Sequence, residues 1–144
     1  MAALTADRNT PQSEGDLREG AVAASQLIFA GALVCRNAAG TLVKGATATG
    51  LVGVGRAEER VDNSAGAAGA KSLRYRPGIF RFANSAAGDA ITAADIGKRC
   101  FVVDDQTVAK TNGADTRSPA GFVDAVDDLG VWVRLDEALT TAGA

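Results

Sequence analysis

From Gly97 to Leu135 the chain twice repeats one pattern: a short apolar run, an Asp-Asp pair, and a second apolar run. The first unit is Arg99-Cys-Phe-Val-Val103 meeting Asp104-Asp105, followed by Thr107-Val-Ala109. In the second, Gly121-Phe-Val123 and Val126 lead to Asp127-Asp128, followed by Gly130-Val-Trp-Val133. Aspartate suits a chain reversal because its carboxylate accepts bonds from nearby backbone N–H groups. The spacing therefore predicts two successive β-hairpins. Two hairpins need further strands to bury their apolar face, and the rest of the chain reads as short strand segments. The predicted fold class is all-β: a small β-barrel or β-sandwich of short antiparallel strands and hairpins.

The 144 residues suit one domain with a core. Hydrophobic residues make up 47%, but many are alanine and aromatics are only 5%, so Val, Leu, Ile and a few Phe must build that core. An alanine buries about one methyl group, at about 25 cal/mol per Å². A core this thin predicts help from neighbouring subunits.

The net charge of −2 gives no basic excess, which argues against a nucleic-acid binder. No apolar run approaches the roughly 18 residues of a membrane span. The opening residues lack a basic segment followed by an apolar one, so no secretory signal is expected. The chain contains no histidine, which removes the usual general base at neutral pH and the Ser-His-Asp and Cys-His arrangements. It also lacks Ser-x-x-Lys, Gly-x-Ser-x-Gly and a Gly-rich loop ending in Gly-Lys-Ser/Thr. The expectation is a protein that is not an enzyme, with no catalytic, cofactor-binding or metal-binding residues.

Residues 1–20 are polar and aperiodic, and read as an extended arm, either a loose terminus or a segment that orders on a neighbour. Residues 21–136 form the predicted β domain, and residues 137–144 a tail without pattern. In the domain, Gln26-Leu-Ile-Phe-Ala30, Gly31 and Ala32-Leu-Val-Cys35 read as strand, turn, strand. Asn37-Ala-Ala-Gly40 fits a tight turn before Thr41-Leu-Val-Lys44. Gly53 and Gly55 in the next strand predict close backbone approach or a bulge. Gly53-Val-Gly55 is no dinucleotide fingerprint, because Glu58 stands where the third glycine belongs.

Ser64-Ala-Gly-Ala-Ala-Gly-Ala70 reads as a flexible, exposed loop, and 111–119 as a long polar one. Leu73 and Tyr75 alternate with polar residues; after Pro77-Gly78 the apolar phase shifts to Phe80 and Phe82. Such a shift predicts a bend that turns the strand from one face to another. Arg74, Arg76 and Arg81 crowd this segment, as a solvated strand face or as a basic patch for an acidic partner. Thr92-Ala-Ala-Asp95 before Ile96-Gly97 predicts one helical turn near 92–96 with a capping box. In Arg99–Val103 both alternating sets are apolar, which predicts cover on both faces.

Cys35 and Cys100 each lie in an apolar run and read as buried free thiols, with a disulfide between them left open. Asp104, Asp105, Asp127 and Asp128 offer oxygen ligands to a hard cation, but each pair falls where a hairpin reverses, and turn chemistry accounts for them. Asp104 with Asp124 as a glycosidase-like pair has no sign of convergence.

The run Asp95-Ile-Gly-Lys-Arg-Cys-Phe-Val-Val-Asp-Asp-Gln-Thr-Val-Ala-Lys-Thr111 resembles the capsid cement, or head decoration, proteins of tailed bacteriophages. So do Ala120-Gly-Phe-Val-Asp-Ala-Val-Asp127, Gly130-Val-Trp-Val133, Gly50-Leu-Val-Gly-Val-Gly-Arg56, and the opening Met1-Ala-Ala-Leu-Thr-Ala-Asp-Arg-Asn-Thr-Pro11. The resemblance implies a structural protein on the outer capsid surface of the virion, made in the bacterial host cytoplasm. Its implied partners are the major capsid protein and copies of itself, a trimer being favoured over a dimer, with no nucleic acid and no membrane. The contact residues expected are Leu4, Thr5, Arg8, Pro11 and Leu17 on the arm, with Arg74, Arg76 and Arg81. The competing expectation is a small ligand- or glycan-binding module of a phage tail or fibre, which needs a concave aromatic-lined site.

Overall fold

A computed structural model describes residues 2–143. Twelve strands and one helix follow the sequence as β1 (Arg18–Ala21), β2 (Gln26–Ile28), β3 (Leu33–Arg36), β4 (Leu42–Lys44), β5 (Val52–Ala57), β6 (Val61–Asn63), β7 (Ser72–Arg76), β8 (Gly78–Phe82), β9 (Arg99–Val102), β10 (Val108–Ala109), β11 (Pro119–Asp127), β12 (Gly130–Leu135) and α1 (Glu137–Ala142). They form three antiparallel sheets, ordered β1-β7-β5-β3-β4, β10-β9-β11-β12-β8 and β2-β6. The fold is all-β, as the alternation predicts.

Both predicted Asp-Asp hairpins are present. β9 pairs with β10, and β11 with β12. Asp104 accepts the Gln106 N–H at 2.9 Å and Asp127 accepts the Leu129 N–H at 2.8 Å, so each carboxylate satisfies a turn donor. The β3–β4 hairpin also matches: the Asn37 carboxamide oxygen accepts the N–H groups of Ala39 and Thr41, and Gly40 takes φ +85°. Gln26–Ile28 does not pair with the following strand, however. It pairs with β6, because Gly31 carries the chain out of the sheet of β3, with its own N–H bonded to Ala57 O.

Between β7 and β8 only Pro77 intervenes, yet β7 belongs to the first sheet and β8 to the second. Proline has no N–H for a ladder, so pairing stops there and resumes in a new sheet. The apolar phase shift at Pro77-Gly78 is this change of sheet. In each five-stranded sheet an isolated bridge joins residues flanking the edges: Val22 with Leu42 in the first, Ala83 with Thr107 in the second. These contacts occupy backbone groups that would otherwise stand open to edge-to-edge association.

Two apolar clusters fill the molecule. Val22, Ile28, Val34, Leu42, Val54 and Leu73 lead the first; Leu33, Cys35, Cys100, Val102, Val131 and Val133 lead the second. Strand β3 serves both, since Val34 points into one cluster and Leu33 and Cys35 into the other. The thin aliphatic core expected from composition is thus divided, with β3 as the shared wall. By contrast, β9 is fully buried on one face only: Cys100 and Val102 are buried, while Phe101 is partly buried.

Cys35 and Cys100 are free and fully buried. Burial pushes both thiols up to about 12, because a thiolate in an apolar core loses its hydration. Neither should react with a thiol reagent at pH 8 until the fold opens. Labelling at the global unfolding rate is the expected result; fast labelling of either in native buffer would contradict this packing.

The turn predicted near 92–96 is a 3-10 helix at Ala93–Asp95 with a reciprocal capping box. The Asp95 carboxylate accepts the Thr92 N–H at 2.9 Å, and that bond holds its pKa below the usual aspartate range. A second 3-10 helix, Ala87–Asp89, carries no sequence signal of this kind. One boundary moves, and two segments hold more structure than their sequence shows. The arm ends at Leu17, because Arg18–Ala21 pair with β7 and residues 18–20 belong to the domain. The tail holds helix α1, capped by Asp136, whose side chain accepts the Leu139 N–H at 2.9 Å. The 111–119 loop is folded on itself, with Asn112 O accepting the N–H groups of Thr116 and Arg117.

Candidate interaction surfaces

Residues 2–17 are exposed and have no regular structure. Only their C-terminal end is tied down. Asp16 forms an ion pair with Arg76 at 2.5 Å, and Arg18 donates to Gly15 O at 2.8 Å. Further out, Arg8 O accepts the Thr10 N–H, a local bond that does not touch the domain. Four of the predicted contact residues, Leu4, Thr5, Arg8 and Pro11, therefore stand in solvent, with Leu4 72% exposed. The fifth, Leu17, is 45% exposed at the arm's root.

The three arginines singled out from sequence do not form one patch. Arg74 and Arg76 lie on β7 of the first sheet, while Arg81 lies on β8 of the second. Arg74 pairs with Glu59 at 2.9 Å, and Arg76 pairs with Asp16 and, at 3.4 Å, with Glu58. Arg56 also binds Glu58, at 2.5 Å, and lies over the Phe80 ring at 4.3 Å from its centroid. The hydrogen bond from Arg74 holds the Glu59 carboxyl low, and that from Arg56 does the same for Glu58. The positive charge of β7 is therefore largely matched within the chain. Arg81 is different: it lies 5.5 Å from the Trp132 ring centroid and has no ion pair among the described residues.

The 64–70 loop is exposed but anchored. The buried Asn63 side chain donates to Ala23 O and Ala67 O, and Gly69 N–H bonds Val22 O. Its tip is available to a neighbour without being loose.

A surface not singled out from sequence lies where α1 meets the second sheet. A shallow groove of about 370 Å³ is lined by Ile96, Phe122, Asp124, Arg134 and Leu139. That volume is near the low end for ligand pockets and holds a few side chains. Ile96 is 49% exposed and Leu139 41% exposed. Phe122 and Arg134 face each other across β11 and β12, on the side opposite the buried Val123–Val133 pair. Alternation places Phe122 outward, a signal present in the sequence. Leu139 was not legible, because six helical residues carry too little period to show a face.

Helix α1 is held in place by Arg36 of β3. Its guanidinium binds Glu137 at 2.7 Å and the Tyr75 hydroxyl at 2.9 Å. At the other end Arg99 donates to Gly143 O at 2.6 Å. The Leu139 wall of the groove is thus positioned from both ends of the helix.

Among the described residues, no group of three or more His, Cys, Asp or Glu side chains converges as a metal site. Among the same residues, no helix is long and apolar enough to cross a membrane. The chain matches no family model, no curated protein and no solved structure.

Proposed function

We propose that this protein is a structural component of a tailed-phage virion that binds the outer surface of the icosahedral capsid and stabilises it. Its partners in this reading are the major capsid protein and copies of itself. The observation that carries the reading is the arm: residues 2–14 are exposed, form no hydrogen bond or ion pair with the rest of the described chain, and expose Leu4. An extended segment of this kind buries more partner surface per residue than a folded one, and orders when it binds. Beyond the arm, large apolar side chains stand exposed at separate points: Phe29, Ile79 and Leu129, at 49%, 46% and 73%. Each suits a modest contact, and several modest contacts on one shell combine into tight attachment. The resemblance of 95–111, 120–127 and 130–133 to head decoration proteins supports the same reading.

Deleting residues 2–14 tests it. The cut spares the Asp16–Arg76 ion pair and β1, so the thermal midpoint should stay within about 1–2 °C, as for changes at exposed surface. Occupancy on purified heads, measured by co-sedimentation, should fall at least about tenfold, the equivalent of ~1.4 kcal/mol. Unchanged occupancy would remove the arm from the mechanism. Failure of the full-length protein to sediment with heads at all would end the capsid reading.

A further inference from the structure

We infer that the arm of one copy docks its Leu4 end into the Ile96–Phe122–Leu139 groove of a second copy. The inference rests on the arm and the groove and does not depend on the capsid reading. Leu4 on the otherwise polar arm and Ile96 and Leu139 in the groove are exposed apolar side chains. Leu4 is 72% exposed, while Ile96 and Leu139 supply a matching apolar wall. Their charges are complementary. Arg134 lines the groove with no ion pair or hydrogen bond from its side chain among the described residues, and Lys98 follows the Ile96-Gly97 wall; the counter-charge in the groove is Asp124. The free part of the arm carries Asp7 and Glu14 against Arg8, and is net acidic. With Leu4 in the groove, Asp7 is three residues on, within reach of the cationic rim.

The arm's root argues for a second copy over the arm's own domain. Arg18 lies beside α1, sharing a cleft with Glu137 and Ala138. Helix α1 lines both this cleft and the groove, yet the arm stays exposed and does not fold back into the groove. Asp16 is paired with Arg76 and Gly15 O with Arg18, so the root is held beside the C-terminal end of β7. Fully extended, residues 2–14 span roughly 45 Å, enough to cross a neighbouring domain of this size. One arm in one groove buries less than the roughly 1,000 Å² that a stable interface needs. The exchange is therefore mutual: each copy gives an arm and receives one, and the ring or pair closes.

Cross-linking tests this without any shell. Leu4→Cys protein is mixed with Leu139→Cys protein under mild oxidation, with the native thiols of Cys35 and Cys100 buried. The expected product is a disulfide-linked pair containing one chain of each variant. In parallel, sedimentation of the full chain should show a concentration-dependent oligomer. Its dissociation constant should rise at least about tenfold in Leu139→Asp and in the protein lacking residues 2–14. Leu139 is exposed, so folding of that variant is expected, and the arm deletion provides a second readout that leaves the domain untouched. A monomer at every concentration, absence of the mixed cross-link, or a double variant that closes only within one chain would each overturn the inference.

Discussion

Gly53→Val should lower the unfolding free energy by about 3 kcal/mol or more, at the upper end of the cost of overpacking a core. Strand β5 passes directly against β11 where the two large sheets meet, and a β-carbon on Gly53 would overlap the carbonyl oxygen of Ala120. The obstacle is backbone, which cannot rotate aside as a flexible side chain would. Nor can β5 shift cheaply. It pairs with β3 through a register shift between Val34 and Cys35 that places Gly53 opposite Cys35, a fully buried residue. The strain therefore passes into the wall shared by both clusters. Urea denaturation is the measurement: the midpoint should fall with little change in slope. A valine variant with the parental midpoint would mean that β5 and β11 do not approach this closely.

Leu33→Ala carries the second large effect, a loss of about 2–5 kcal/mol from burial and cavity formation. Leu33 is fully buried and belongs to the cluster of the second sheet while lying on a strand of the first. Its backbone is also committed, with its N–H bonded to Asp105 O and its carbonyl to the Gly45 N–H. Neighbouring side chains consequently have little freedom to collapse into the space. Native stability of a domain this size is of order 5–15 kcal/mol, so the loss removes a substantial fraction. The midpoint of urea unfolding again reports it. Val43, half-buried beside the same cluster, provides a control, since Val43→Ala should cost clearly less. Equal costs at the two positions would contradict the division of the core at β3.

Much of the fold was legible because short-range chemistry decides it. The Asp-Asp reversals, the Asn37–Gly40 turn and the Thr92–Asp95 box are each satisfied within a few residues, so local sequence suffices to place them. The burial of Val131, Val133 and Leu135 follows from alternation alone. Pairing partners were less accessible. Gln26–Ile28 looks like the first arm of a hairpin with β3, yet it pairs with Val61–Asn63, and nothing in its own residues states that choice. The candidate surfaces divide in the same way. The arm stands out from composition, whereas the groove combines Ile96, Phe122 and Leu139 from three separate elements.

The amino-acid order by itself determined where the chain turns, which side of each strand is apolar, and where the apolar phase changes at Pro77-Gly78. Only tertiary structure decided that this change moves the chain between sheets, that β3 serves two cores, and that Arg74 and Arg76 meet carboxylates while Arg81 stacks on Trp132. The physical reason is range. Turn and capping bonds and strand alternation act over a few residues, while sheet pairing and ion pairing join groups far apart in sequence, and many partners satisfy the same local pattern.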